Sequence, residues 1–171
     1  MAYPTKKIAF LGLMLALVLV LALAEQMMPP LPMVPPSFGR IGLSNAVIMY
    51  VVVFIGSKEA LTLAVLKALF NMLMRGPMAG SLSLTGGLLS VFLMLILWWI
   101  FKDKISYIAL SIAGAIGHNI GQLMAACLIL QNWLLFIAYF PVLLITGAIF
   151  GTVTGVFLKI IMPAFNGIYR C

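Results

Sequence analysis

Residues 105–130 contain no acidic residue, no lysine and no arginine. A helix needs about 20 apolar residues to cross a bilayer core, and this run exceeds that. Backbone groups cannot stay unpaired in hydrocarbon, so such a run folds as a helix. At about 100° per residue the helix sorts into three faces. Ala113, Gly114, Gly117, Gly121 and Ala125 share one stripe, a small-residue ladder that lets another helix approach closely. Ser111, His118, Gln122 and, less squarely, Asn119 occupy the next arc. Ile112, Ile116, Ile120, Leu123 and Met124 take the remainder, which suits lipid or an apolar neighbour. Polar groups at membrane depth are costly unless they face a bundle interior or a wet cavity, so the middle arc predicts a binding site.

The rest of the chain has the same character. Of its 171 residues 65% are hydrophobic and 8% charged, whereas a soluble domain is about half apolar. The chain reads as an all-α integral membrane protein, a single transmembrane domain over 1–171. Its net charge of +7 is not gathered with aromatics on a polar surface, which argues against a nucleic-acid partner. Cys127 and Cys171 lack metal-ligand spacing and are not expected to pair.

Six helices are predicted, at about 8–24, 43–55, 58–74, 82–101, 105–130 and 134–161. The first, with Lys6 and Lys7 before an apolar run and Ala22 and Ala24 near its end, also resembles a secretory signal peptide. The run is longer than a usual signal core and the chain beyond it is itself membranous, so it is read as helix one. Gly12 and Ala16 on it form a small-residue pair, a candidate seam for another subunit.

Residues 27–40 hold Pro29, Pro30, Pro32, Pro35 and Pro36, which excludes helix. This apolar segment is either an interfacial loop or a lid over a pocket. Ser57 is a candidate N-cap with Glu59 favourable in the turn after it. Residues 75–81 read as a loop, and Trp98-Trp99 as an interfacial belt. Pro141 is a candidate kink in helix six, whose Gly147, Gly151 and Gly155 form a second ladder.

Six spans place both ends on one side. With the N-terminus inside, the inner segments carry Lys6, Lys7, Lys58, Lys102, Lys104, Lys159 and Arg170, and the outer loops only Arg40 and Arg75. That bias makes both termini cytoplasmic.

Helix three carries the second polar signal. Lys67, Asn71 and Arg75 recur every fourth residue and so share a face. Lys67 falls near mid-membrane, where an ammonium needs an anion, a polar ligand or water. His118 lies at a similar depth, with Gln122 one turn further out. Asn45 and Glu25 are expected on the same outer side. The candidate ligand contacts are therefore Lys67, Asn71, His118, Asn119 and Gln122, with Asn45 and Arg75 at the rim. Lys67, Arg75 and a protonated His118, set against Glu25, favour an anionic or carbonyl-rich ligand with an apolar portion. For His118, Asn119, Gln122 and Asn45 the alternative is hydrogen bonding that only holds the bundle together.

Catalysis is not expected. Glu25, Glu59 and Asp103 are the only acids and none are neighbours, so the aspartate clusters that hold Mg²⁺ against pyrophosphate are missing. No Gly-rich loop with Lys-Ser/Thr offers a nucleotide site. No metal or cofactor is expected.

The Pro-rich first loop, Gly42-Leu-Ser-Asn45-Ala, Gly56-Ser-Lys-Glu59-Ala, Lys67, Gly86-Gly87-Leu-Leu-Ser and Gly117-His118-Asn119-Ile-Gly121-Gln122 together resemble the Gx transporter family, also called heptaprenyl diphosphate synthase component I. That family looks like the substrate-binding S-components of energy-coupling factor (ECF) vitamin transporters. The resemblance implies a six-helix protein of a bacterial plasma membrane that binds substrate towards the outer face. It also implies a transmembrane coupling subunit and two cytoplasmic ATPases as partners, besides membrane lipid. Gly12 and Ala16 then stand where S-components meet the coupling subunit, although the pair is Gly-x3-Ala rather than two alanines. Residues 27–40 stand where a first loop closes over substrate, here a quinone or isoprenoid precursor or a vitamin. The rival reading is a non-catalytic membrane subunit of a prenyl-diphosphate synthase or of a quinone-linked redox complex.

Overall fold

A computed structural model describes residues 4–27 and 42–169, with only the backbone described at Pro4, Asp103 and 161–169. The expected lid, residues 27–40, lies outside the described residues except for Met27. Six α-helices follow one another: α1 (Pro4–Met27), α2 (Leu43–Phe54), α3 (Ser57–Arg75), α4 (Pro77–Phe101), α5 (Tyr107–Leu130) and α6 (Leu134–Tyr169). A 3-10 turn, Lys102–Lys104, joins α4 to α5, and no strand occurs among the described residues. Four stretches are long and apolar enough to cross a membrane: Thr5–Met27, Pro77–Phe101, Tyr107–Leu130 and Leu134–Ile160. With the apolar exterior, where Leu73, Trp99 and Ile137 are largely exposed, they mark a membrane-embedded protein.

The two remaining helices are of another kind. α2 has 12 residues, about 18 Å at 1.5 Å per residue, well short of the ~30 Å hydrocarbon core. It is the most enclosed helix, with Ser44 and every residue from Ala46 to Val52 buried. α3 is longer, 19 residues, but carries Lys58, Glu59, Lys67 and Arg75.

Several boundaries differ from the sequence reading, each for a local reason. α4 begins at Pro77, so the loop predicted over 75–81 shrinks to Gly76, which holds φ 89°. Proline suits the first helical position because its ring presets φ and its missing N–H would have been unpaired there anyway. The cap of α3 is Gly56 and not Ser57, whose side chain makes no capping bond. Glu59 in that first turn instead takes an ion pair from Lys7 of α1. α1 and α6 extend beyond the predicted ends, and α6 stays helical through Pro141.

α5 is clamped between two neighbours by backbone approach. A Cβ on Gly121 would lie 2.6 Å from the Thr85 carbonyl oxygen and 2.8 Å from Gly86 Cα, so the small-residue stripe of α5 packs on α4. Gly114 and Gly117 face side chains of the same helix, Met94 and Leu93. On the other side the second ladder closes on α5: a Cβ on Gly151 would lie 2.6 Å from Ile112 Cα, and one on Gly155 2.8 Å from Ile108 Cα. The isoleucine face of α5 therefore meets α6, with Met124 left exposed and Leu123 buried.

Apart from Lys67, the lysines gather at one end. Lys7 meets Glu59 there, Ser57 shares a groove with Lys102, and Lys159 shares another with Trp98 and Tyr107. An apolar core of Met14, Val18, Met49, Leu63, Val91 and Leu110 separates that end from the polar one. A smaller cluster, Leu82, Leu123, Ala126, Cys127 and Leu143, closes the polar end between α4, α5 and α6.

A candidate ligand cavity

Lys67 stands ten residues into α3, about 15 Å from the helix start, and is only 6% exposed. A buried ammonium must be met by polar groups, and Lys67 Nζ donates to Asn45 Oδ1 of α2 at 2.7 Å. One turn on, Asn71 is satisfied at both ends of its amide. Its Nδ2 donates to Ser83 Oγ of α4 at 2.8 Å, and its Oδ1 accepts from Gln26 Nε2 of α1 at 3.2 Å. The polar face of α3 is thus tied to three helices.

Glu25, 7% exposed, caps α2. Its carboxylate accepts from the backbone N and the Oγ of Ser44, both at 3.2 Å. The cap residue Gly42 has φ 79° and no side chain to do this, and a carboxylate at a helix N-terminus is stabilised by the helix dipole. α1 therefore supplies what α2 lacks, and an acidic group is fixed beside the polar face of α3.

From α5, His118 and Gln122 straddle Gly86 of α4. A Cβ there would lie 2.9 Å from His118 Nδ1 and 2.8 Å from Gln122 Cγ. Only glycine leaves both side chains room at this crossing. Asn119 turns the other way, and its Nδ2 donates to the Leu143 carbonyl of α6 at 2.9 Å. That amide nitrogen is bonded across the seam between α5 and α6.

These groups line one cavity of about 180 Å³. The structure brings together all seven residues singled out in the sequence: Asn45, Lys67, Asn71, Arg75, His118, Asn119 and Gln122. Glu25 also lines it. The cavity reaches the surface where Arg75 and Met78 are exposed, at the end opposite the lysines. Its lining acquires Met78 and Ala79 because α4 starts early, and Ser83, inside the predicted helix, joins them; the Gly76-Pro77 pair was the signal for that start. Gln26 and Ser44 had no such signal, since their partners are distant in sequence.

The cavity holds one carboxylate and two cations before His118 is counted. Lys67 brings an ammonium, bonded to Asn45. Arg75 brings guanidinium donors to the rim. The lining is thus donor-rich and net positive. Among the described residues no three His, Cys, Asp or Glu side chains gather as metal ligands.

Gly12 and Ala16 lie elsewhere. Both are exposed on the outer face of α1, and a Cβ on Gly12 would meet nothing within 4 Å.

A family model described as heptaprenyl diphosphate synthase component I matches residues 14–161. That span contains every cavity residue, and Ala16 but not Gly12. No curated protein and no solved structure matches the chain.

Proposed function

The chain belongs to the heptaprenyl diphosphate synthase component I family, also called the Gx transporter family, and from that premise we propose that it is the substrate-binding S-component of an energy-coupling factor type transporter. It captures a small molecule from outside for uptake powered by two ATPases through a coupling subunit. The observation that carries this reading is the convergence of seven polar side chains, one of them a deeply buried lysine, on one cavity. A purely structural polar stripe needs no cavity of this size. An engineered apolar cavity of 150 Å³ admits benzene, so about 180 Å³ suits one compact polar ring or head group. The net positive, donor-rich lining favours an anionic or carbonyl-rich one, its apolar portion leaving past Met78.

Orientation supports the same reading. We take all six helices to pass through or dip into the membrane as a single unit over 1–171, with both termini cytoplasmic. The lysine-rich end then faces the cytoplasm by the positive-inside bias, and the cavity opens outward. The exposed Gly12 and Ala16 present a smooth strip of α1 on which a coupling-subunit helix can lie closely.

The family's own description names a synthase component, which favours a second reading: a non-catalytic membrane subunit beside a prenyl-diphosphate synthase or a quinone-linked redox complex. In that case the polar groups would face a partner, whereas here they face one another across a cavity. Native purification followed by mass spectrometry decides. A retained small molecule that is lost in Lys67→Met, together with a coupling subunit and an ATPase pair, supports the transporter reading. A soluble prenyltransferase with an empty cavity overturns it.

A further inference from the structure

A second concavity, unrelated to the ligand cavity, lies at the lysine-rich end. It is an open groove of about 630 Å³ lined by Ser57 of α3, Phe92, Leu95, Ile96, Trp98 and Trp99 of α4, and Lys102. Phe92 and Trp99 are 58% and 79% exposed, so the groove is apolar wall with a cation at its mouth. We propose that it binds an anionic phospholipid, with an acyl chain along Phe92, Leu95 and Ile96 and the phosphate at Lys102.

Three observations carry this choice of occupant. The tryptophans set the depth, because indole rings favour the level of the lipid head groups. The charge sets the sign. Lys58 is adjacent to Ser57, Lys104 lies two residues beyond Lys102, and both are exposed. Lys159 stands at the mouth of a neighbouring groove on the other side of Trp98. Against these the sequence offers Asp103, and Glu59, which is paired with Lys7. An excess of lysine beside a helix end attracts anionic lipid. Lys102, finally, caps α4 with its backbone N–H donating to the Trp98 carbonyl, which fixes the cation beside the tryptophans that line the groove.

The test uses the three tryptophans. Trp133, at the α5–α6 turn, is replaced by Phe so that emission comes from Trp98 and Trp99. The Trp133→Phe protein is placed in phosphatidylcholine nanodiscs doped with brominated-chain phosphatidylglycerol, or with brominated-chain phosphatidylcholine at the same fraction. Phosphatidylglycerol should quench with roughly fivefold higher apparent affinity, the size of one lysine's contribution at an anionic surface. Adding Lys102→Gln should erase the preference, whereas adding Lys104→Gln, outside the groove, should leave most of it. Inorganic phosphate should not reverse the quenching. Equal quenching by the two lipids overturns the proposal, and so does an equal loss in the two lysine variants, which would assign the preference to diffuse surface charge. Reversal by inorganic phosphate overturns it too. None of these readouts depends on a transported ligand or a coupling subunit.

Discussion

Replacing Gly121 by alanine tests whether α5 is held by backbone contact. The new methyl would sit 2.6 Å from the Thr85 carbonyl oxygen, 2.8 Å from Gly86 Cα and 2.9 Å from Thr85 C, all backbone atoms of α4. No rotamer change can move them, so the helices must part by about 0.8 Å to reach ordinary contact. A gap of that size forfeits between a quarter and a half of each dispersion well along the seam. Overpacking of this kind costs about 1–3 kcal/mol. Gly12→Ala is the internal control, because its methyl meets nothing within 4 Å. It should be neutral, or gain up to about 1 kcal/mol from helix propensity. Thermal unfolding in detergent, followed by circular dichroism, should lower the midpoint for Gly121→Ala and leave it level or raised for Gly12→Ala. A wild-type midpoint for Gly121→Ala, or an equal fall for both, would refute the packing argument.

Three further outcomes are expected. Lys67→Met should leave the protein folded, since losing the bond to Asn45 is offset by relief of a buried charge. It should weaken retention of the native ligand by about 2–3 kcal/mol, as lost charged hydrogen bonds do; His118→Leu should cost less, and the pair should be sub-additive in ligand titrations. Asn119→Leu should lower the thermal midpoint by removing the α5–α6 hydrogen bond to the Leu143 carbonyl, about 0.5–1.5 kcal/mol, while Gln122→Leu should alter ligand retention alone; the reverse pattern in paired melting and binding curves would exchange their roles. Gly12→Leu should abolish recovery of the coupling subunit in a pull-down without changing ligand retention, and an intact complex would move the docking face off α1.

Much of this was legible because membrane helices leave few exceptions to explain. A lysine at position 67 and a histidine at 118 are conspicuous in apolar helices, and a period of 3.6 residues gathers their polar neighbours onto faces. The glycine ladders were equally plain, but a ladder reveals a face and not its partner. That Gly151 meets Ile112, or that Gly86 makes room for His118 and Gln122, depends on how helices cross. The start of α4 was hidden because Gly80 and Ser81, following the Gly76-Pro77 pair, have the composition of a loop, and Met78 and Ala79 were lost with it. The cap of α2 by Glu25 had no local sign at all, since a carboxylate 19 positions upstream of Ser44 takes the role that a side chain at Gly42 would otherwise fill.

The cavity has two walls built to different tolerances, and this bears on how such a protein acquires a new specificity. α4, α5 and α6 meet through glycines on which an added Cβ would lie 2.6–2.8 Å from the facing helix, so a larger residue introduced along those seams disturbs the fold before it touches a ligand. Glu25, Asn45, Lys67 and Asn71 project from α1, α2 and α3, and side-chain hydrogen bonds tie these helices through Ser44 to Glu25, Lys67 to Asn45 and Gln26 to Asn71. Such bonds can be exchanged in pairs without moving a helix axis. On the proposed transporter reading, selection for a different small molecule can therefore rewrite the α1–α3 wall while the glycine-laced wall stays fixed as the template against which each new ligand is measured.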